Sequence, residues 1–245
     1  HIPDNEIFNV VNSLAQSRNA SIDRLNHEFQ VAQIEQNEGS QTFDFISKEA
    51  QLKGLRLPLM GQFQAQNAGL ALAACLKFLG TWDERKIRKG LENVQWEGRL
   101  EIVANHPTVV LDCAHNVASV RNMTAELCKN ITFTRCLVVL GLMKDKEVEK
   151  IIEILSQFGD LFFAVQVNPQ RGETAEKLKG KLEKHNKPVQ VSESVSSALQ
   201  AAKNIAKPDD LVCITGSIFT VAEAKKYFQN EKNLSNPWNS TQPGK

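Results

Sequence analysis

Residues 136–167, CLVVLGLMKDKEVEKIIEILSQFGDLFFAVQV, contain two apolar runs separated by an amphipathic segment. The runs at 136–140 and 161–167 have the length of strands and are rich in Val, Leu and Phe, as buried strands are. Between them, residues 146–158 place apolar side chains at helical spacing. A strand, a helix and a second strand in this order predict an α/β fold with parallel strands.

The same alternation extends in both directions from this stretch. The pattern predicts strands at 108–111, near Val189 and at 211–214, and helices at 118–129, 174–185, 195–206 and 219–228. The prediction is therefore a Rossmann-like, mostly parallel sheet with helices on both faces. The residues from Asn230 onward are rich in Asn, Ser and Pro, so we expect a disordered tail at 231–245.

Residues 1–95 show a different pattern. We predict a helix at 5–18 and a hairpin whose strands, 27–34 and 41–46, flank a turn at 37–39. The Ala- and Leu-rich segment 64–78, which ends at Gly80, predicts a buried helix, and residues 83–91 predict another. The segment Trp96-Glu97-Gly98-Arg99 interrupts the pattern, so we place a domain boundary between residues 95 and 96.

The composition of the whole chain excludes several classes of protein. Its 245 residues favour two compact units, and a net charge of +1 disfavours binding to nucleic acid or to an anionic membrane. No apolar run reaches the ~20 residues of a membrane-spanning helix. The five cysteines form no C-x-x-C pair and have no histidine at zinc-ligand spacing, so we predict no metal ligands and a reduced, cytoplasmic compartment.

The polar residues that follow the strands are the candidate functional residues, because ligands bind at the carboxyl ends of strands in open α/β sheets. Asp112 and His115 follow the strand at 108–111. Asp112 can accept a hydrogen bond from a ribose hydroxyl or orient a cation, and His115 can donate one to a phosphate or carboxylate. Alternatively, Asp112 caps the next helix and His115 is an ordinary surface residue.

Two more clusters follow strands. Thr215-Gly216-Ser217 precedes the last helix, where hydroxyl and backbone N–H groups suit an anion, although an ordinary N-cap explains the same residues. Lys144 lies in the segment 141–146, which by itself is typical of a solvated loop. Neither cluster is sufficient to assign a function.

Three candidates lie outside these strand ends. Arg99 follows a Trp-x-Gly turn at the domain boundary, where its guanidinium can bind phosphates or form a salt bridge within the linker. Gln64 and Asn67 lie one turn apart at the start of the Ala-rich helix, with helix capping as the alternative. The sequence contains neither G-x-x-x-x-G-K-[ST] nor G-x-G-x-x-G, so it has no recognisable triphosphate-binding loop.

Five motifs occur in order along the chain: Gly61-x-x-Gln64-x-x-Asn67-Ala68, Trp96-x-Gly98-Arg99-x-Glu101, Asp112-x-Ala114-His115-Asn116, Lys144-Asp145 and Thr215-Gly216-Ser217-x-Phe219. Taken together, they resemble the motifs of the folylpolyglutamate synthase and dihydrofolate synthase branch of the Mur ligases. In this family ATP phosphorylates a folate or pteroate carboxylate, and the amine of glutamate attacks the acyl phosphate. The resemblance implies a ligase that uses ATP and Mg²⁺ and binds L-glutamate with folate or dihydropteroate; we expect a monomer.

The resemblance also implies roles for single residues. It implies ATP binding by Gln64, Asn67, Arg99 and Asp112, catalysis by His115, Arg99 and Asp112, and glutamate binding by Ser217 and Lys144. One position differs from the family pattern, because Phe63 stands where the family usually has His and the hydrogen bond of that His is lost.

In the family, the P-loop, the Mg²⁺-binding Ser and Glu and a carbamylated Lys lie upstream of the position of His1. We therefore expect residues 1–95 to be the C-terminal part of the ATPase domain, residues 96–230 to be the glutamate-ligase domain, and this fragment alone to be inactive. The ligands of Mg²⁺ are expected upstream. Two alternatives stay open: a Mur-type ligase for another acid and amino acid, and a noncatalytic nucleotide-binding module without the ATPase half.

Overall fold

The computed structural model describes residues 5–37 and 39–232. The chain divides into two compact units, His1–Gln95 and Trp96–Lys245. The first contains α1 (Asn5–Ser17), β1 (Phe29–Asn37), β2 (Ser40–Ser47), β3 (Gln51–Leu57), α2 (Gln62–Leu79) and α3 (Glu84–Glu92). The second contains β4 (Glu101–Asn105), β5 (Thr108–Leu111), α4 (Val117–Asn130), β6 (Arg135–Leu140), α5 (Val148–Phe158), β7 (Leu161–Val165), α6 (Ala175–Glu183), β8 (Val189–Ser192), α7 (Val195–Ile205), β9 (Asp210–Thr215) and α8 (Ile218–Lys232).

The first unit is a three-stranded antiparallel sheet with the order β1-β2-β3. Strands β1 and β2 pair from Phe29 and Ser47 to Asn37 and Ser40, which confirms the predicted hairpin. The sequence analysis missed β3. In β3, the two residues Lys53 and Gly54 face the single residue Asp44 of β2, and this bulge interrupts the alternation of buried and exposed residues that identifies a strand.

The core of the first unit lies between this sheet and α2. Phe43 and Phe45 from the sheet pack with Ala65 and Leu72 from the helix. Only one face of α2 is covered, because Phe78 near its end is 89% exposed. The expectation of a buried helix therefore holds for one face of α2 only, since a three-stranded sheet covers one side of a helix.

The second unit contains a six-stranded sheet with the order β4-β5-β9-β6-β7-β8. All neighbouring strands are parallel except β4 and β5. This arrangement confirms the predicted mostly parallel α/β fold. Strand β4 is absent from the sequence predictions because it lies at the sheet edge and only Ala104 among its five residues is buried.

Helices cover both faces of the second sheet. Helices α7 and α8 pack on one face, where Val195, Val221 and Phe228 join the core with alternate strand residues. On the other face, α5 lies between α4 and α6, and Met123 of α4 contacts strand β9. Within residues 5–37 and 39–232, no helix combines the length and hydropathy needed to cross a membrane.

The end of α8 corrects one prediction. Residues 231–232, expected to belong to a disordered tail, continue the helix to Lys232. Glu and Lys are good helix formers, so these two residues extend a helix whose earlier turns are anchored by core contacts. The rest of the predicted tail, 233–245, lies outside the described residues.

Candidate functional site

Asp112 lies directly after β5 and is only 4% exposed. Its Oδ2 accepts a hydrogen bond of 2.9 Å from the backbone N–H of Leu100, and its Oδ1 accepts one of 2.8 Å from that of Ala114. It does not cap the following helix, because Asn116 has that role and accepts from the N–H of Ser119 at 2.8 Å. Asp112 therefore joins the loop after β5 to the loop before β4.

Two kinds of interaction shift the pKa of the Asp112 carboxyl group in opposite directions. Burial is the largest effect and raises the pKa of its carboxyl group above the ordinary value. The two backbone hydrogen bonds, and the positive charges of Arg99 and His115, act in the other direction. The net effect is that the pKa of the Asp112 carboxyl group is raised.

Arg99 lies between Gly98 and Leu100 in the loop before β4 and is half-buried. Its guanidinium makes no hydrogen bond or ion pair with any residue in the described ranges 5–37 and 39–232, although its charge affects the carboxyl group of Asp112. A guanidinium with free donors next to a buried carboxyl group is able to bind an anion such as a phosphate.

His115 lies three residues beyond Asp112 and is half-buried. Its Nδ1 is 2.8 Å from the carbonyl oxygen of Cys113, so Nδ1 is the donor and carries the proton. In the neutral ring, Nε2 is then an acceptor, and it becomes a donor only when the imidazole is protonated. Arg99, Asp112 and His115 thus belong to two loops that hydrogen bonds hold together at one end of the sheet.

Ser217 precedes α8 and is 2% exposed. Its Oγ accepts a hydrogen bond of 3.1 Å from the N–H of Thr220, as an N-cap does, and lies 2.7 Å from Thr220 Oγ1. Thr220 Oγ1 in turn donates to the carbonyl oxygen of Gly141 at 2.9 Å. The hydroxyl of Ser217 is therefore already hydrogen-bonded, and this geometry favours the capping role.

Lys144 is exposed in the loop after β6. Its backbone N–H donates to the carbonyl oxygen of Arg171 at 2.9 Å, and its Nζ donates to that of Gln170 at 3.3 Å. These bonds fix the loop against the segment that follows β7. Among the described residues, Lys144 has no hydrogen bond or ion pair with Arg99, Asp112 or His115.

Gln64 and Asn67 lie in the first unit, in the first turns of α2. Asn67 Nδ2 donates to Gln64 Oε1 at 3.1 Å, which confirms that the two amides share a helix face. They do not cap the helix, because its N-cap residue is Gly61 and no side chain there accepts a hydrogen bond. Asn67 is exposed, so its amide oxygen is accessible to a ligand.

Several residues that shape these sites were missed by the sequence analysis. Gln41 of β2 is fully buried, and its Nε2 donates to the carbonyl oxygens of Leu59 and Gly61 at 2.8 and 2.9 Å, which fixes the start of α2. Thr220 links the loops after β6 and β9. The Ser-x-x-Thr spacing gives a weak local signal for Thr220, whereas Gln41 acts over 20 residues of sequence and gives none.

The described part of the chain holds no group of three or more His, Cys, Asp or Glu side chains that could bind a metal ion. Asp112 and His115 use their hydrogen bonds within the fold: each carboxylate oxygen of Asp112 accepts one, and one ring nitrogen of His115 donates one.

The chain is similar to a known protein family and to several known proteins. Residues 98–218 match the family described as Mur ligase, glutamate ligase domain. The chain is 33% identical over 181 residues to a probable bifunctional folylpolyglutamate synthase/dihydropteroate synthase of Haloferax volcanii, which covers 74% of this chain and 21% of that protein.

Two solved structures are also similar. The Mycobacterium tuberculosis folylpolyglutamate synthase complexed with ADP has 28% identity and a TM-score of 0.85, over 91% of this chain and 52% of that one. The E. coli FolC complex with DHPP and ADP has 28% identity and a TM-score of 0.80, over 91% and 51%.

The chain thus spans about half the length of these two solved synthases and about a fifth of the haloarchaeal protein. The family match, the mostly parallel sheet and the loops that carry Arg99 and Asp112 fall in the same region, residues 98–218. Residues 98–218 are therefore a glutamate ligase domain of the Mur ligase family, and the chain is similar to about half of the length of the folylpolyglutamate and dihydrofolate synthases.

Proposed function

We propose that this chain is part of an ATP-dependent amide ligase that adds L-glutamate to folate, to dihydropteroate, or to both. The reaction proceeds through an acyl phosphate of the acceptor carboxylate, which the amine of glutamate attacks. The observation that carries the proposal is the guanidinium of Arg99, which has no hydrogen-bond or ion-pair partner among residues 5–37 and 39–232 and lies near the buried carboxyl group of Asp112 within a glutamate ligase domain.

Arg99 is the proposed phosphate-binding residue. Transfer of a phosphoryl group to a carboxylate concentrates negative charge at the reacting oxygens, and a guanidinium positioned there stabilises the transition state more than the substrates. The half-buried position of Arg99 supports this role, since partial exclusion of water strengthens its interaction with an anion.

Asp112 and His115 have complementary proposed roles in ATP binding and catalysis. A carboxylate can accept a hydrogen bond from a ribose hydroxyl, because each of its oxygens retains a lone pair beyond the bond to Leu100 or Ala114. The bond from His115 to the carbonyl of Cys113 leaves Nε2 able to accept a proton and then to donate to a phosphate oxygen.

Gln64 and Asn67 are proposed to contribute to ATP binding from the first unit. Their mutual hydrogen bond orients both amides, and side-chain amides suit the donor and acceptor edge of a nucleobase.

Mg²⁺ is the proposed divalent cation, which when bound supplies charge neutralisation to the phosphates of ATP. The described residues hold no suitable cluster of ligands, so we assign to them no step that involves the cation. We propose that the ligands of Mg²⁺ lie outside the described residues. The proposal also includes a monomeric state. It further includes a cytoplasmic location, which the five free cysteines support.

Ser217 and Lys144 are the proposed glutamate contacts. Support for Lys144 is its exposed ammonium group, which could bind a carboxylate. Support for Ser217 is only its position at the start of α8, since both of its hydrogen bonds are internal.

An acceptor assay tests the proposed function. The natural gene product that contains this chain is incubated with labelled glutamate, ATP and either dihydropteroate or a reduced folate. We expect ATP-dependent incorporation with at least one acceptor. Ligation of glutamate to neither acceptor, but of an amino acid to another acid, would identify a different Mur-type ligase. Binding of ADP without any ligation would identify a noncatalytic nucleotide-binding module.

A further inference from the structure

The backbone on both sides of Arg99 is held by carboxylate groups. Glu101 Oε2 accepts a hydrogen bond of 2.7 Å from the N–H of Gly98, and Asp112 Oδ2 accepts one of 2.9 Å from the N–H of Leu100. Hydrogen bonds to a charged acceptor are stronger than those between neutral groups. The main chain that carries Arg99 is thus fixed immediately before and immediately after it.

The same loop has an unusual backbone conformation. Gly98 has a φ of +65° and Leu100 has a φ of +47°, although Leu100 is not a glycine. A positive φ costs free energy in a residue with a Cβ atom and persists only where the surroundings impose it. Leu100 is 3% exposed, so burial of its side chain and its bond to Asp112 together impose the turn.

Lys225 of α8 controls the position of Glu101. Its Nζ lies 3.0 Å from Glu101 Oε1 and 3.3 Å from Oε2, and it also pairs with Glu97 at 2.9 Å. The side chain of Lys225 is only 18% exposed, whereas that of Glu97 is 73% exposed. The pair with Glu101 is therefore the better shielded of the two, and it directs a carboxylate at the N–H of Gly98.

A rigid connection also runs from the loop to the strand that carries Asp112. The N–H of Cys113 donates to the carbonyl oxygen of Gly98 at 2.9 Å. A Cβ atom at Gly98 would lie 2.8 Å from Cys113 Sγ and 2.9 Å from Val221 Cγ1, so the loop has little room to move. The guanidinium of Arg99, by contrast, has no partner among residues 5–37 and 39–232.

We propose that Lys225 and Glu101 are positioning residues that hold the loop 98–100 in the conformation from which Arg99 meets the phosphate. A rigid main chain that ends in an unpaired guanidinium is preorganised for an anion, which avoids the cost of ordering Arg99 when ATP binds. This inference rests on the proposed function. Neither residue touches the substrate in this scheme, and both act through Gly98 and Arg99.

The first test changes Lys225 in the natural gene product that contains this chain. Lys225→Met keeps the length of the side chain but removes its charge, and Lys225→Arg restores the charge. The matched control is Lys226→Met, because Lys226 is the exposed neighbour on the same helix and makes no ion pair with the described residues. Since a small misplacement of a catalytic group is costly, we expect Lys225→Met to lower kcat by roughly 10- to 100-fold. Lys225→Arg should recover most of the loss, and Lys226→Met should change little.

A double-mutant cycle with Arg99→Ala separates positioning from a general loss of structure. If Lys225 acts through Arg99, the double variant has nearly the kcat of Arg99→Ala alone, because no guanidinium is left to position. If the two effects multiply instead, Lys225 has an independent structural role and the proposal is overturned.

Amide hydrogen exchange gives a readout that needs no activity. We expect the Gly98 amide to exchange about tenfold faster in Lys225→Met, but not in Lys225→Arg or Lys226→Met, because its acceptor is no longer held in place. Unchanged exchange at Gly98 in Lys225→Met would overturn the proposal. If Arg99→Ala keeps full ligase activity, the proposed phosphate-binding role of Arg99 is wrong, and so is the proposal that Lys225 and Glu101 position it. The exchange rate of the Gly98 amide would still show whether Lys225 orders the loop 98–100.

Discussion

Arg99 and Asp112 differ in how many hydrogen bonds their side chains make within the protein. The guanidinium of Arg99 is unpaired within the described ranges, whereas the carboxylate of Asp112 accepts two backbone hydrogen bonds. Substitutions at the two positions should therefore have different effects on stability even if both reduce activity.

We expect Arg99→Ala to lower kcat/KM by at least about 100-fold with little change in Tm, because it removes a charge that stabilises only the transferred phosphate. Asp112→Ala should lower both quantities, since each buried N–H left without an acceptor costs ~1–3 kcal/mol. Arg121→Ala, on the exposed face of α4, is the control for loss of a surface arginine. Activity assays and thermal unfolding of the three variants distinguish these outcomes; a large fall in Tm for Arg99→Ala would indicate a structural salt bridge instead.

Asp112 also predicts a pH dependence of stability. Burial raises the pKa of its carboxyl group in the folded state, so the folded protein binds a proton more readily than the unfolded chain. This contribution to stability is complete below the ordinary pKa of ~3.9 and is lost as the pH rises through the raised value. Asp112→Asn removes the titration. Urea unfolding between pH 4 and pH 7 should show a free energy of unfolding that falls with pH more steeply in the wild type than in Asp112→Asn; equal slopes would contradict the burial effect.

Ser217 provides a separate prediction, because its hydroxyl is buried and already bonded to Thr220. If Ser217 is only an N-cap residue, Ser217→Ala should lower the free energy of unfolding by ~1 kcal/mol. The KM values for ATP and for glutamate should then stay unchanged. Should the KM for glutamate alone rise by about tenfold or more, the proposed contact with glutamate is supported instead. An equal rise in the KM values for ATP and glutamate would fit neither role.

At the level of secondary-structure elements, the loop between the first unit and β4 depends on a glycine. Gly98 combines a positive φ with a Cβ position 2.8 Å from Cys113 Sγ. The loop can therefore approach β5 closely only without a side chain at this position.

We expect Gly98→Ala to destabilise the second unit by more than ~1 kcal/mol, because it adds both backbone strain and overlap with Cys113. Gly180→Ala is the matched control. Gly180 lies inside α6, where an added Cβ atom meets nothing within 4 Å, so this change should stabilise the protein by roughly 0.5–1 kcal/mol. Denaturant unfolding that shows the same sign for both variants would contradict the strain at Gly98.

Element boundaries show where local sequence is sufficient. The predicted helices at 5–18, 118–129 and 195–206 agree with α1, α4 and α7 to within one residue at each end. Capping residues such as Asn116 and Ser194 mark these helices locally. Strands β3 and β4 were missed because a register shift or an exposed edge leaves no alternating or continuous apolar pattern.

For the whole molecule, the second unit should fold by itself. Its sheet and the helices on both faces form a core that includes Val139, Ile214 and Leu199, all fully buried. We expect residues 96–245 expressed alone to unfold in one cooperative transition, measured by circular dichroism in urea. Binding of a hydrophobic dye without a cooperative transition would indicate that this unit requires the first.

The sequence by itself determined the α/β class, the alternation of strands and helices that produces a mostly parallel sheet, and the motifs that contain Arg99, Asp112 and His115. These features depend on hydrophobic periodicity and short spacing, which neighbouring residues encode. It also indicated the change of pattern near Trp96, where the two units divide.

Only the tertiary structure decided what these residues touch. It distinguished Asp112, which joins two loops, from Asn116, which caps α4, and it placed Lys225 against Glu101 from 124 residues away in sequence. Such contacts depend on the packing of α8 against the sheet and on burial that displaces water from polar groups. A local pattern carries no record of either, because hydrogen-bond partners brought together by folding can come from any distance along the chain.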